Sequence, residues 1–200
     1  MTSPGLRERK KQKTRWAIQE HALRLFAQQG YDATTVEQIA AAAEVSPSTF
    51  FRYFKTKEDV VLQDEYDPLL IAMIEQQPAG LPPMEALRQA LRTAFGAMGP
   101  NEKDKILARI RLQMSVPALR ARTYEQLTAS IQMIAEAMAK RVDRQADEFA
   151  VQVFAGACLG ALLAALFAWA ESPDTDLGDI VDQALAQLQG GVDATFASGT

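Results

Sequence analysis

One cysteine and one histidine in 200 residues remove whole classes of chemistry at the outset. Cys158 alone cannot close an intramolecular disulfide, and with only His21 beside it in the inventory no zinc site of the Cys/His kind can form. No metal site and no cofactor are expected. No glycine loop of the phosphate-cradling type is present, and no nucleophile stands next to a base. Cys158 lies in an apolar run, and His21, on a helical face beside Ala22, reads as surface or core filler. No catalytic residue is therefore assigned, although catalysis by carboxylates alone stays open as an alternative. Strand-like alternation, internal repeats and low-complexity stretches are also missing, which points to an all-α chain. No apolar stretch follows Arg7–Arg15 closely enough for a secretory signal, so a reducing cytoplasm is the expected location.

What is present is a core-forming composition with uneven charge. Hydrophobic residues make up 48% and charged residues 23%, enough apolar material for a folded domain or two unequal ones. The net charge of −4 hides a basic N-terminal segment, 1–57, at +5 and an acidic remainder at −9. Such a division predicts that the first segment meets polyanions and the second does not.

Helical signals run the length of the chain. Ile18, Ala22, Leu25 and Phe26 form a stripe over about 8–29 that stops at Gly30. Thr35 with Gln38 predicts a capping box before Val36, Ile39, Ala40 and Ala43, and Ser46-Pro47 predicts a capped start for a helix over 46–54. In that helix Phe50 and Phe54 share one face and belong to the core, while Pro47, Ser48, Phe51 and Arg52 point elsewhere. Thr56 with Asp59 opens a helix over 55–76 that Pro68 should kink or break. Further helices are predicted over 83–98, over 102–114, from Pro117 along a stripe from Leu119 to Val142, over 147–171, and from Asp176. Between Val153 and Ala170 no charge occurs over 18 residues, so a membrane span is an alternative to a buried bundle helix. Half of these residues are Ala or Gly, which favours the bundle.

Two short capped helices joined by a tight turn are the helix-turn-helix arrangement, whose second helix can enter the major groove. The residues Ala22-Leu23 to Phe26, Gly30-Tyr31, Thr34-Thr35-Val36, Ile39-Ala40, Ala43, Val45-Ser46, Thr49, Phe50-Phe51, Tyr53-Phe54 and Lys57-Glu58 carry a specific pattern across about 14–62. This stretch resembles the DNA-binding domain of the TetR family of bacterial transcriptional regulators. The resemblance implies a three-helix head over 1–57 and an antiparallel helical body over 58–200, about nine helices in all. It implies DNA contacts from Thr35 at a phosphate, from Ser46, Pro47, Ser48, Thr49 and Arg52 at bases or neighbouring phosphates, and from Tyr53 and Lys57 at the backbone. Phe51 stands where many members carry Tyr, so ring packing or a thymine-methyl contact replaces a phenolic hydrogen bond. Thr35 and Ser46 can cap helices and touch phosphate at once. The basic run through Arg7, Arg9, Lys10, Lys11, Lys13 and Arg15 reads as a backbone or minor-groove arm, with phosphate contact favoured over base reading.

For the body, the resemblance implies a dimer built from the last two long helices and an inducer pocket among the middle ones. The row Gly156, Gly160, Ala164 permits close helix approach, so it is placed with Leu163, Phe167, Ile180, Ala184 and Leu188 at the dimer contact. Phe95, Met98, Leu112, Met114, Tyr124, Met133, Met138, Phe154 and Trp169 are the candidate apolar lining, each able to serve as plain core instead. The words around Ser46–Phe54 resemble a subgroup with fatty acyl-CoA ligands, whose phosphates Arg111, or Arg109, Arg120 or Arg122, would meet. The expected protein is thus a ligand-responsive repressor, homodimeric on a palindromic operator and not membrane-bound. A carboxylate enzyme and a membrane-anchored interaction protein are the competing classes.

Overall fold

The computed structural model describes residues 5–63 and 66–191, apart from the side chains at 8, 66–69, 124 and 125. Among the described residues every regular element is an α-helix. There are ten: α1 Leu6–Gln29, α2 Val36–Ala42, α3 Pro47–Tyr53, α4 Lys57–Leu62, α5 Tyr66–Glu75, α6 Pro83–Gly96, α7 Pro100–Ser115, α8 Pro117–Val142, α9 Phe149–Glu171 and α10 Leu177–Gly190. The single helix expected over 55–76 is therefore two, α4 and α5. Pro68 is not the breaker: α4 has already ended at Gln63, and Pro68 sits in the first turn of α5. There a proline is tolerated, because its missing N–H would have no partner in any case.

Two compact units emerge, and neither is one continuous stretch of chain. The first comprises 1–64 with 104–123, the second 65–103 with 124–200. In the first unit, α1 to α4 enclose Ile18, Ala22, Phe26, Ile39, Phe50, Phe54, Val60 and Val61, and Leu119 from the start of α8 is fully buried among them. Ala108, Leu112 and Val116 pad the same core. Leu119 thus leaves the α8 stripe, whose later members Ile134 and Met138 are buried in the second unit.

Local chemistry explains the short helices. Thr35 accepts the backbone N–H of Gln38 at 3.2 Å while the Gln38 side chain accepts the Thr35 N–H at 2.9 Å. Thr56 and Asp59 make the same reciprocal pair before α4. Ser46 caps α3, and Pro47 takes its first position. The turn from α2 to α3 closes as a Schellman motif: the Val45 N–H donates to Ala40 O at 2.9 Å and the Glu44 N–H to Ala41 O at 3.1 Å. Glu44 supplies the left-handed residue, with φ of 56°. Gly30, at φ 86°, ends α1 in a conformation that only glycine adopts freely.

The second unit is held by long-range packing. Leu177, Val181 and Leu185 recur every four residues on the buried face of α10, which packs on both α6 and α9. Arg88 on α6 grips Asp182 on α10 in two parallel bonds, Nε to Oδ1 at 2.8 Å and Nη2 to Oδ2 at 2.9 Å.

Candidate nucleic-acid interface

α3 presents two chemically different faces. Phe50 and Phe54 are fully buried, with ring centroids 5.9 Å apart, and they fix the rotation of the helix on the head. Ser46, Pro47, Ser48, Phe51 and Arg52 are consequently turned to solvent, with Thr49 and Tyr53 half-buried at the edges. Three hydroxyls gather at the start: Ser46 Oγ lies 2.9 Å from both Ser48 Oγ and Thr49 Oγ1. Phe51, half-exposed, meets Phe50 edge-to-face, and the Arg52 guanidinium lies over the Tyr53 ring at 5.4 Å. Hydroxyl donors and one arginine on an exposed short helix suit phosphate oxygens and base edges.

Two of the cations expected at DNA are engaged inside the head. Lys57 Nζ donates to Tyr31 O at 2.8 Å and Thr34 O at 3.0 Å and stands over the Tyr31 ring. Arg15 stacks over Phe54 and donates to Gln63 Oε1 at 2.8 Å. In both cases the head offers carbonyls and ring faces within reach, and the side chain takes them. Arg109 and Arg122, considered for an effector's phosphates, are similarly occupied: Arg109 Nε donates to Val61 O, and Arg122 reaches Thr56 Oγ1 at 2.8 Å and Asp59 Oδ1 at 3.1 Å.

Arg122 belongs to a polar network that sequence reasoning missed. Tyr31 donates its hydroxyl proton to Glu58 at 2.8 Å, and Arg122 lies 3.7 Å from the same carboxylate. Burial, aided by the bond to Glu58, lifts the Tyr31 phenol well above its ordinary value. Burial also pushes Glu58 up, but bonds from its own N–H, Tyr31 and Thr56 and the Arg122 charge leave the carboxyl below its usual range. No local signal announces this network, because its members are up to 91 residues apart in the chain.

The proposed effector residues separate. Phe95 and Met98 line an apolar cavity of about 190 Å³ with Leu70, Met73 and Leu91, and Glu102 stands at it. Leu112 packs on the head core, and Arg111 and Met114 fall in the same unit. Met138 and Trp169 are buried in the second unit, where the indole N–H donates to Thr175 O, while Met133 and Phe154 are half-buried. The Tyr124 side chain lies outside the described residues. Burial pushes the Cys158 thiol up to about 12, so it stays protonated at neutral pH. The positions assigned to a dimer contact are open on the single chain: Gly160, Ala164 and Phe167 are exposed, and Gly156, Leu163, Ile180, Ala184 and Leu188 are half-buried.

A capped helix with an aromatic rear and a hydroxyl-and-arginine front, set behind a second capped helix, defines a helix-turn-helix DNA-binding head. Comparison with known proteins narrows the class. Residues 18–63 match the family described as bacterial regulatory proteins, tetR family, and 81–193 match the MftR C-terminal domain. The chain belongs to the TetR family of bacterial transcriptional regulators, which combine DNA-binding and ligand-binding domains. It is 42% identical over 125 residues to the HTH-type transcriptional regulator TcmR of Streptomyces glaucescens, covering 59% of this chain and 55% of TcmR. It is 27% identical to the putative mycofactocin biosynthesis transcriptional regulator MftR of Mycobacterium tuberculosis, covering 92% of this chain and 94% of that one. Thermus thermophilus FadR, a repressor solved with lauroyl-CoA, superposes with a TM-score of 0.56 at 28% identity over 88% of this chain and 93% of its own. These relatives are transcriptional regulators and not enzymes. Family members bind DNA and small-molecule effectors as homodimers.

Proposed function

We propose that the chain is a cytoplasmic, ligand-responsive repressor that binds a palindromic operator as a homodimer and is released by an apolar or acyl-CoA-type effector. Residues 1–57 bind DNA, and 58–200 bind the effector and the second copy. The observation that carries this reading is the orientation of α3: burial of Phe50 and Phe54 turns Ser48, Phe51 and Arg52 outward. Thr35, Ser46, Pro47, Thr49 and Tyr53 flank that face, with Lys57 and Arg15 contributing when they exchange their internal partners for phosphate.

Dimerisation through α9 and α10 is supported by apolar side chains open on the single chain: Phe149 is 84% exposed and Val153 52%. α9 is 23 residues long and contains an 18-residue stretch with a mean hydropathy of 2.1, enough to cross a membrane by length and composition. Its packing on α10 and its small-residue row support a bundle interface instead. The effector class rests on the apolar cavity beside Phe95 and Met98 and on the lauroyl-CoA bound by the FadR relative. At about 190 Å³ the cavity is smaller than a typical ligand site of ~300–1,000 Å³, so an acyl chain must widen it. Effector binding then favours a body state that moves the two heads off operator spacing.

The test is binding to a duplex selected from random DNA. The Arg52→Ala/Tyr53→Ala variant should lose about 5- to 150-fold in affinity, since one bidentate arginine–base contact is worth ~1–3 kcal/mol. Unchanged operator binding by the folded variant would reject the assignment. Loss of binding on adding a medium- or long-chain acyl-CoA checks the effector.

A further inference from the structure

The cavity beside Phe95 has a charge as well as a shape. Its walls come from α5, α6 and the start of α7, all within the second unit. Leu70, Met73, Leu91, Phe95 and Met98 make the interior apolar, and Glu102 is the one ionisable residue among the described residues lining it. The Glu102 carboxylate is fixed by the free first turn of α7, where Oε2 accepts the Gly99 N–H at 3.0 Å. Glu102 is exposed, and no cation among the described residues pairs with it. Its neighbour Lys103 turns to Asp176 at the start of α10, 3.2 Å away. Other acids of the same unit are answered, Asp182 by Arg88 and Glu75 by Lys140. The arginines considered for an effector's phosphates, Arg109, Arg111, Arg120 and Arg122, all fall in the first unit.

An apolar interior with a lone carboxylate at its edge selects by charge. We infer that the cavity binds a small alkyl or aryl ammonium, its hydrocarbon body inside and its cationic head against Glu102. This rests on the reading of residues 58–200 as an effector domain and narrows the apolar class named there. An apolar cavity of ~150 Å³ holds benzene, so about 190 Å³ admits one ring with a short arm, or an alkyl chain of the same bulk. The head keeps its contact with water because Glu102 is exposed, so the cost of burying a cation is not incurred. The net charge of −9 over 58–200 favours the approach of a cation over that of an anion. An acyl thioester fits this edge poorly. Its carbonyl oxygen accepts hydrogen bonds, an ionised carboxylate donates none, and the phosphates of coenzyme A add negative charge beside Glu102.

The experiment titrates the full-length protein at neutral pH with three probes that share a phenyl ring and a two-carbon arm: 2-phenylethylammonium, 2-phenylethanol and phenylacetate. Ligand-observed NMR gives the affinities. The ammonium should bind about fivefold more tightly than the alcohol and the carboxylate about fivefold less, the worth of an exposed charge pair of either sign. Glu102→Gln keeps an oxygen for the Gly99 N–H and removes the charge, so the three probes should bind it alike, at the parent's affinity for the alcohol. Ala94→Leu fills the cavity from its α6 wall and should weaken all three. An ammonium held as tightly by the Glu102→Gln variant as by the parent, or a parent that prefers phenylacetate, overturns the charge assignment. Undiminished binding of the probes by Ala94→Leu, or no binding of any of them by the parent, overturns the site. A parent that binds no duplex in the operator assay overturns the regulator reading and leaves the order of the three probes to stand or fall by itself.

Discussion

The two units of this protein are specified by different kinds of information. In the first, α2, α3 and α4 are six or seven residues long, and each begins at a hydroxyl that accepts a backbone N–H three residues on. In the second, α9 runs for 23 residues with no side-chain cap, and α6 starts at Pro82 with none either. Helices of a turn or two are unstable alone, so the head depends on caps plus one shared aromatic core. Among the body helices α10 does start at a side-chain cap, Asp176 accepting the Asp179 N–H at 3.1 Å, but α6 and α9 have none, and their order comes from faces that meet across the chain. DNA reading calls for the first solution, since a recognition helix must be held at one rotation. A body that accommodates an effector calls for the second.

The largest effect should separate the units. Phe50→Ala removes a ring with no exposed surface and should cost the head about 3–5 kcal/mol, the usual range for a buried phenylalanine. DNA binding should vanish with it. Leu185→Ala, equally buried on α10, should cost the body about 2–5 kcal/mol. Calorimetry and hydrogen exchange should show the first loss confined to amides of α1–α4 and 104–123, and the second to α6, α9 and α10. Equal loss of protection everywhere in both variants would show that the two units do not differ as argued.

The same contrast explains what could be read from the sequence. Thr35 with Gln38, Ser46 with Pro47 and Thr56 with Asp59 were legible because each cap is completed within three residues. The rotation of α3 was legible too, because Phe50 and Phe54 are one turn apart. Leu119 was not: its spacing fits the α8 stripe, but the core it enters is made of residues 18–62. Lys57 and Arg15 read as surface cations because nothing nearby in sequence announces the Tyr31 and Thr34 carbonyls or the Phe54 ring that hold them. Family resemblance supplied the proposed DNA face; it could not supply the internal partners of its basic side chains.

A smaller effect is expected where the body is tied by charge. The Arg88–Asp182 pair joins α6 to α10, with both side chains about one-fifth exposed. A double-mutant cycle should give a coupling of about 1–2 kcal/mol, above a surface pair because two charge-assisted hydrogen bonds are made. The hydrogen bonds from Arg88 hold the Asp182 carboxyl below its usual range. The contribution is therefore complete above the unfolded pKa of about 3.9 and falls away as pH drops through the lower folded value. Asp182→Asn should make body stability flatter in that window. Unaltered acid sensitivity would show that other carboxylates govern it.

Thr35 can divide capping from DNA contact in the head. Thr35→Ala should lose about 1 kcal/mol of stability. Thr35→Asp restores the cap but sets a negative charge beside any phosphate, so stability should return while operator affinity falls further. If the aspartate variant binds DNA as the parent does, Thr35 is a cap alone.

The smallest effect tests whether the head's precision is local at every point. Glu44 holds φ at 56°, a left-handed conformation that a residue with a Cβ adopts at a cost, and its N–H closes the Schellman turn between α2 and α3. Glu44→Gly relieves that strain and keeps both hydrogen bonds, but it also widens the unfolded ensemble, and the two terms oppose each other. Since a single left-handed residue costs about 1–2 kcal/mol and the added chain entropy about 0.4–1, the net change should be a gain of a few tenths to 1 kcal/mol. Removing an acid beside α3 should also favour DNA slightly at low salt. No turn in the body responds in the same way unless it too is closed around a left-handed residue, and Asp143, at φ 52° with the Arg144 N–H donating to Ala139 O, is the matching case. Asp143→Gly should raise body stability by a similar amount and leave operator binding unchanged. If instead it alters DNA binding as much as Glu44→Gly does, the precision of the head is not confined to its own turns.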